Sequence, residues 1–132
     1  VRFAGLSNQI ETKPITAREH HAWFTRRLVS SADCAFFIAT SPAGTPVGQV
    51  RFDRTDSAWT ISYSLDAALR GWKLAQPLLE AGISALRALM PGARLDAWVK
   101  PDNVASLQTF RGMGFTESLA DRDGMQCHRF ER

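Results

Sequence analysis

The chain has little of what would mark a membrane, secreted or metal-binding protein. Its two cysteines, Cys34 and Cys127, are too few for a disulfide framework or a four-thiolate zinc site, and such chains ordinarily stay reduced in the cytosol. No apolar run approaches the roughly 18 to 20 residues of a membrane span; the longest, Cys34 to Ala39, has the length of a strand. Six prolines and nine glycines in 132 residues exclude a collagen-like or low-complexity chain, and 45% apolar content is enough to build a core. Charge of one sign is scarce too: 16 Lys plus Arg against 13 Asp plus Glu leave +3, with Arg26 and Arg27 the one adjacent basic pair. An excess so dispersed describes a solvated surface rather than a nucleic-acid footprint, and leaves room for an anionic small molecule. The first residue is Val, not Met, and no basic segment followed by an apolar stretch stands at the front, so the natural start is expected to have been removed. One cytoplasmic domain over residues 1–132, with no membrane, nucleic-acid or metal partner, is the expectation.

Periodicity orders the chain. Thr16 and Glu19 have capping-box spacing, and His20, Trp23, Phe24 and Leu28 follow at helical intervals, which predicts a helix from about Ala17 to Val29. Ala35 to Thr40 is too short and too aromatic for a helix and is stopped by Ser41-Pro42-Ala43-Gly44-Thr45-Pro46, a turn cluster. A strand from Val47 to Asp53 follows. Next, Trp59, Ile61, Tyr63 and Leu65 alternate with Thr60, Ser62 and Ser64, the period of a half-buried strand. Three strands joined by short turns imply an antiparallel meander.

Beyond Leu65 the period becomes helical: Leu74, Leu78, Ala81, Ala85 and Leu89, with Ile83 and Leu86 beside them, run to a stop at Met90-Pro91-Gly92. Pro77 is tolerated there only in the first turn. Arg94 to Val99 reads as a strand, Asn103 as the cap of a short helix through Arg111, and Phe115 to Leu119 and Met125 to Phe130 as strands around the turn Asp121-Arg122-Asp123-Gly124. This order predicts a mixed α/β fold: a mostly antiparallel sheet flanked by helices, with one parallel crossover through the long helix.

Two stretches carry chemistry. From Leu65 to Ala75 a strand runs through a short loop into a helix, whose unpaired N–H groups form a positive end able to hold a phosphate; an ordinary capped helix accounts for the same residues. Without Gly-Lys-Ser/Thr it is no Walker loop. The second stretch, Val99 to Phe115, reads alone as a capped amphipathic helix with a glycine stop. Together they resemble the GNAT family of N-acetyltransferases. The family's Arg/Gln-x-x-Gly-x-Gly/Ala motif for the acetyl-CoA pyrophosphate stands here as Arg70-Gly71-Trp72-Lys73-Leu74-Ala75, followed by Gln76. Its later Asn-x-x-Ser-x-x-x-Tyr-x-x-x-Gly-Phe pattern stands as Asn103, Ser106, Phe110, Gly114 and Phe115. The resemblance implies acetyl-CoA as acyl donor, the pyrophosphate held from Arg70 to Gln76, and the pantetheine arm gripped at Ser64 and Leu65, where the fourth strand of the family splays from its neighbour.

The front half is similar to acetyltransferases of sugar-nucleotide pathways, above all the pseudaminic acid branch: Val1-Arg2, Ser7, Asn8, Pro14-Ile15-Thr16, Glu19-His20, Trp23-Phe24, the run Val47 to Asp53, and Ile61 to Leu65. That branch implies a nucleotide-linked amino sugar as acceptor. It also implies a strand and half a helix ahead of Val1, missing here, as if the chain were cut from a longer protein; the edge so exposed would favour a homodimer. Two residues depart from the family. Lys73 replaces a motif glycine, and Phe110 replaces the tyrosine that protonates the leaving thiolate. Tyr63, the one tyrosine, is a candidate donor in its place, although its alternation also suits a core position. Asp53 and His20 or His21 are candidates for base or substrate positioning, and Arg51 for a phosphate or sugar hydroxyl. Trp98 stands where some relatives carry a carboxylate. Two other functions stay open: an acetyltransferase for a peptide or another small-molecule amine, and a silent acyl-CoA-binding module, which Lys73 and Phe110 would suit.

Overall fold

A computed structural model describes residues 25–30, 33–69 and 73–132. Seven strands form, the central ones from aromatic and β-branched runs: β1 (Thr25–Ser30), β2 (Cys34–Thr40), β3 (Pro46–Thr55), β4 (Ala58–Leu65), β5 (Leu95–Val99), β6 (Thr116–Arg122) and β7 (Met125–Glu131). A 3-10 turn at Ala67–Leu69 leads toward helix α1 (Ala75–Leu89), and helix α2 (Val104–Arg111) lies between β5 and β6. The sheet order is β1-β2-β3-β4-β5-β7-β6. Every neighbouring pair is antiparallel except β4 and β5, which run parallel because α1 carries the chain across. The hairpin between β6 and β7 closes on Asp123 (φ 54°) and Gly124 (φ 79°), the two positive dihedrals of a type I′ turn.

Register places Phe37, Val50 and Tyr63 side by side across β2, β3 and β4, with Ala35, Phe52 and Ile61 in the parallel row. These residues form one face of the core, against Leu78, Leu79, Ile83 and Leu86 of α1. Two glycines let α1 lie close on the sheet. A Cβ at Gly48 would stand 3.0 Å from Leu78 Cδ2, and one at Gly82 would stand 3.1 Å from Val50. Pro77 is the third residue of α1, inside the first turn, where its missing N–H costs no helical bond.

Three expectations change. Thr25 to Val29, expected to end a helix, form β1 and pair with β2 from Thr25–Thr40 to Ser30–Ala35. The free N–H and C=O groups on the outer edge of β2 supply that pairing, and a local period of a few residues carries no sign of it. The described sheet therefore has seven strands, one more than the sequence pattern suggests, and β2 is not its edge. The buried stripe of α1 is also rotated: Leu79 and Gly82 face the core, while Leu89, at the end of the expected stripe, is 57% exposed. The expected helix from Ala17 to Phe24 lies outside the described residues.

Candidate active site

The parallel pair β4 and β5 is joined over only two positions, Trp59 with Leu95 and Thr60 with Asp96. That end is fastened further: the Trp59 N–H donates to the Arg94 carbonyl (2.8 Å), and the Thr60 hydroxyl donates to Asp96 Oδ1 (2.6 Å). Asp96 is buried, and Arg129 Nη2 donates to its other oxygen at 3.1 Å. Past Thr60 the strands part, so the β5-facing edge of Tyr63, Ser64 and Leu65 carries no ladder partner. A cavity of about 920 Å³ opens there, bounded by the end of β4, the start of α1 and one face of α2.

Each wall follows from local sequence. Behind β4 the chain turns tightly, with the Asp66 N–H on the Val47 carbonyl and the Leu69 N–H on the Asp66 carbonyl, each at 2.9 Å. Lys73 then adopts φ +56°, a left-handed conformation that favours glycine, and its side chain is exposed. Leu74 caps α1 without any side-chain hydrogen bond, and no acidic residue lies in the first turn. The positive end of a fifteen-residue helix is thus unneutralised by side chains where it meets the cavity. On the opposite wall, Asn103 Oδ1 accepts the Ser106 N–H at 3.3 Å and opens α2. The Ser106 hydroxyl in turn lies 2.8 Å from the Tyr63 hydroxyl, which ties α2 to β4. At the rim, Gln76 Nε2 donates to the Thr109 carbonyl at 3.2 Å. Gly112 makes room for it, since a Cβ there would lie 2.3 Å from that nitrogen.

The cavity gathers Tyr63, Ser64, Leu65, Lys73, Leu74, Ala75, Gln76, Asn103 and Ser106, residues drawn from both sequence motifs. Phe110 is behind the wall. It is 2% exposed and packs against Tyr63, Phe115 and Phe130, with ring centroids 6.0, 5.3 and 5.4 Å away. Arg51 and Asp53 do not line the cavity; they pair with each other at 2.8 Å on β3, where Asp53 stands opposite Thr60. The Arg51 hydrogen bond holds the Asp53 carboxyl below its ordinary value, which makes it a weaker base. The neighbouring Cys34 thiol is raised by burial and then by Asp53. Trp98 is flanked by the guanidinium groups of Arg122 and Arg129, 5.2 and 5.0 Å from its ring centre. His20, His21, Arg70, Gly71 and Trp72 lie outside the described residues. The cavity also uses Leu69, Pro77, Ala105, Gln108 and Thr109, which the motifs do not single out. Helical intervals from Ser106 reach Thr109, three residues on, but not Ala105 or Gln108, which stand one before and two after it. Among the described residues no cluster of His, Cys, Asp or Glu could hold a metal ion, and no helix is long and apolar enough to cross a membrane.

Residues 3–116 match the acetyltransferase (GNAT) domain. The chain belongs to the GNAT family. Solved structures share the fold of this GNAT chain at low identity. A putative GNAT-family acetyltransferase from Bordetella pertussis is 22% identical, with TM-score 0.64 over 75% of this chain and 65% of its own. A ribosomal L7/L12 α-N-protein acetyltransferase in complex with coenzyme A is 19% identical, with TM-score 0.63 over 76% of this chain and 62% of its own. The ribosomal-protein-S5-alanine acetyltransferase of Vibrio fischeri is 15% identical, with TM-score 0.66 over 87% of this chain and 80% of its own. This GNAT chain thus spans less than two thirds of the length of the first two of these structures. Comparison with curated proteins gives no match.

Proposed function

We propose that this chain transfers the acetyl group of acetyl-CoA to the primary amine of a nucleotide-linked amino sugar. The observation that carries the donor half is the cavity where β4 leaves β5, because its walls offer the pantetheine arm and the pyrophosphate of acetyl-CoA chemically matched surfaces. The unpaired edge of Tyr63 to Leu65 suits the amides of a pantetheine arm, which would hydrogen-bond there as an added strand does. The open N-terminus of α1 and the Lys73 ammonium suit a pyrophosphate, with Arg70, Gly71 and Trp72 completing the motif. Asn103 and Ser106 bound the opposite side. In the reaction the amine lone pair attacks the thioester carbonyl, a C–N bond forms, and the C–S bond breaks to leave a thiolate.

The acceptor half rests on the resemblance of Val47 to Asp53 and Ile61 to Leu65 to the sugar-nucleotide branch. On that reading Arg51, half-exposed and stacked 5.0 Å over the Phe36 ring, meets a phosphate or sugar hydroxyl. Solved relatives are described as acting on ribosomal-protein amino groups and on spermidine, so the decisive experiment is an acceptor panel. The chain is incubated with acetyl-CoA and, in turn, a UDP-linked 4-amino sugar, a CMP-linked amino sugar, a peptide with a free N-terminus, and spermidine, and CoA release is measured. Selectivity for a nucleotide-linked sugar is expected. Turnover of the peptide or polyamine alone would replace the acceptor. Calorimetric CoA binding without turnover of any amine would instead favour a silent binding module, a reading that the burial of Phe110 supports.

A further inference from the structure

We infer that the Tyr63 phenol, backed by the Ser106 hydroxyl, protonates the thiolate that leaves when acetyl is transferred; this rests on the acetyl-transfer reading above. An alkyl thiol ordinarily titrates at about 8.5, so a thiolate expelled near neutral pH is basic enough to take a proton. The α2 wall has no acid to give at Phe110, whose ring is buried among other rings and carries no protic group. Tyr63 approaches from β4 instead. Its ring meets Phe110 edge-on, at 6.0 Å and 72°, and its hydroxyl reaches past to Ser106 Oγ at 2.8 Å. Both residues line the cavity, beside the stretch of β4 edge that has no strand partner.

Tyr63 holds the sole phenol of the chain, and a phenol is a stronger acid than an aliphatic alcohol. The Thr109 hydroxyl on the same helix is already committed to the Ala105 carbonyl at 2.8 Å. Asn103 anchors the Ser106 backbone N–H in the first turn of α2, so the Ser106 hydroxyl meets Tyr63 from a fixed point on the wall. Ser106 is therefore a positioning residue: it aims the phenol and donates a hydrogen bond to the phenolate that forms. The step balances. The Tyr63 O–H bond breaks as the S–H bond of CoA forms, the attacking amine releases one proton to water, and the phenolate regains one from water.

The test uses the full chain with acetyl-CoA and whichever amine of the panel it acetylates best, following CoA release from mildly acidic to alkaline pH. Tyr63→Phe is expected to lower kcat on the order of a hundredfold, with CoA affinity by calorimetry unchanged, which also establishes that the variant is folded. The loss should fall on kcat, with KM for acetyl-CoA unchanged. Ser106→Ala should lower kcat about tenfold, again at unchanged KM, while Ser106→Thr, which keeps the hydroxyl, retains the wild-type rate. Turnover by wild type that Tyr63→Phe leaves at full rate, or lowers only through weaker CoA binding, overturns the dyad alone. No CoA release by wild type with any amine overturns the transfer reading and the dyad with it.

Discussion

Gly82→Ala separates two forces of opposite sign at the contact between α1 and the sheet. In an exposed helix the change is favourable by about 1 kcal/mol, because glycine is the poorer helix former. Here the new Cβ would stand 3.1 Å from both Val50 Cβ and Cγ2, and 3.4 Å from Cγ1. Ordinary carbon contacts begin near 3.5 Å. Rotating the valine moves its methyls but leaves its Cβ in place, and the Val50 backbone is held between Phe37 of β2 and Tyr63 of β4. Relief must come from lifting α1, and overpacking of this kind costs about 1–3 kcal/mol. The net effect is a destabilisation of about 1 kcal/mol, roughly 4 °C in Tm for a domain of this size. Val50→Ala alone should cost about 2–3 kcal/mol by emptying a fully buried site. In the double variant the two methyl contacts are gone but the Cβ–Cβ contact at 3.1 Å remains, so the strain is relieved in part and the two changes should couple by about 0.5–1 kcal/mol. Urea denaturation of the four proteins measures the cycle. A Gly82→Ala protein more stable than wild type, with changes that simply add, would show that α1 does not sit on β3 through this glycine.

Lys73→Gly should raise stability by about 0.5–1 kcal/mol, since the left-handed conformation at φ +56° costs an L-residue roughly 1–2 kcal/mol, offset in part by the chain entropy of glycine. The same change should weaken CoA binding at low salt by removing an ammonium from the cavity wall; melting curves and calorimetry read the two effects, and a fall in stability would contradict the strain argument. Acid should weaken the tie between α2 and the last hairpin. Two hydrogen bonds from Arg111, and then one from His128, hold the Glu117 carboxyl at about 2 against an ordinary 4.5. Because the folded value is the lower one, the contribution is complete above the ordinary value and disappears as pH falls toward 2. Glu117→Gln should therefore flatten the decline of Tm between pH 5 and about 2; a decline identical to wild type would place the acid sensitivity elsewhere.

Most of what positions the site was legible because its signals are local. The alternation from Trp59 to Leu65, the Met90-Pro91-Gly92 stop and the Asp123-Gly124 turn each act within a few residues, and each marks the element seen. Pairing between distant segments was not legible. β1 looked helical because Trp23, Phe24 and Leu28 fall at helical intervals, whereas its partner, the edge of β2, leaves no mark on that pattern. Nothing local marks Gly82, since a glycine that permits close approach looks like any other until Val50 is placed beneath it. The described parts of both motifs line one cavity, yet the bond that ties β4 to α2 there, from Tyr63 to Ser106, spans 43 positions and exists only once the two are folded together. Gln76, placed by its motif near a phosphate, lines the cavity and also gives one amide N–H to the Thr109 carbonyl, a tie between α1 and α2 that its motif does not announce.

The two-position ladder between β4 and β5 has a mechanical consequence. Two half-sheets, β1 to β4 on one side and β5, β7 and β6 on the other, are riveted at one end of their shared border and unzipped at the other. A molecule that hydrogen-bonds along the free edge of β4 while resting on α2 would act as the second rivet. Its binding energy would then tighten the border as well as fill the cavity, and resistance to unfolding would report occupancy. Amide exchange in Tyr63 to Leu65 should slow more on binding than exchange at Trp59 and Thr60, which the first rivet already protects.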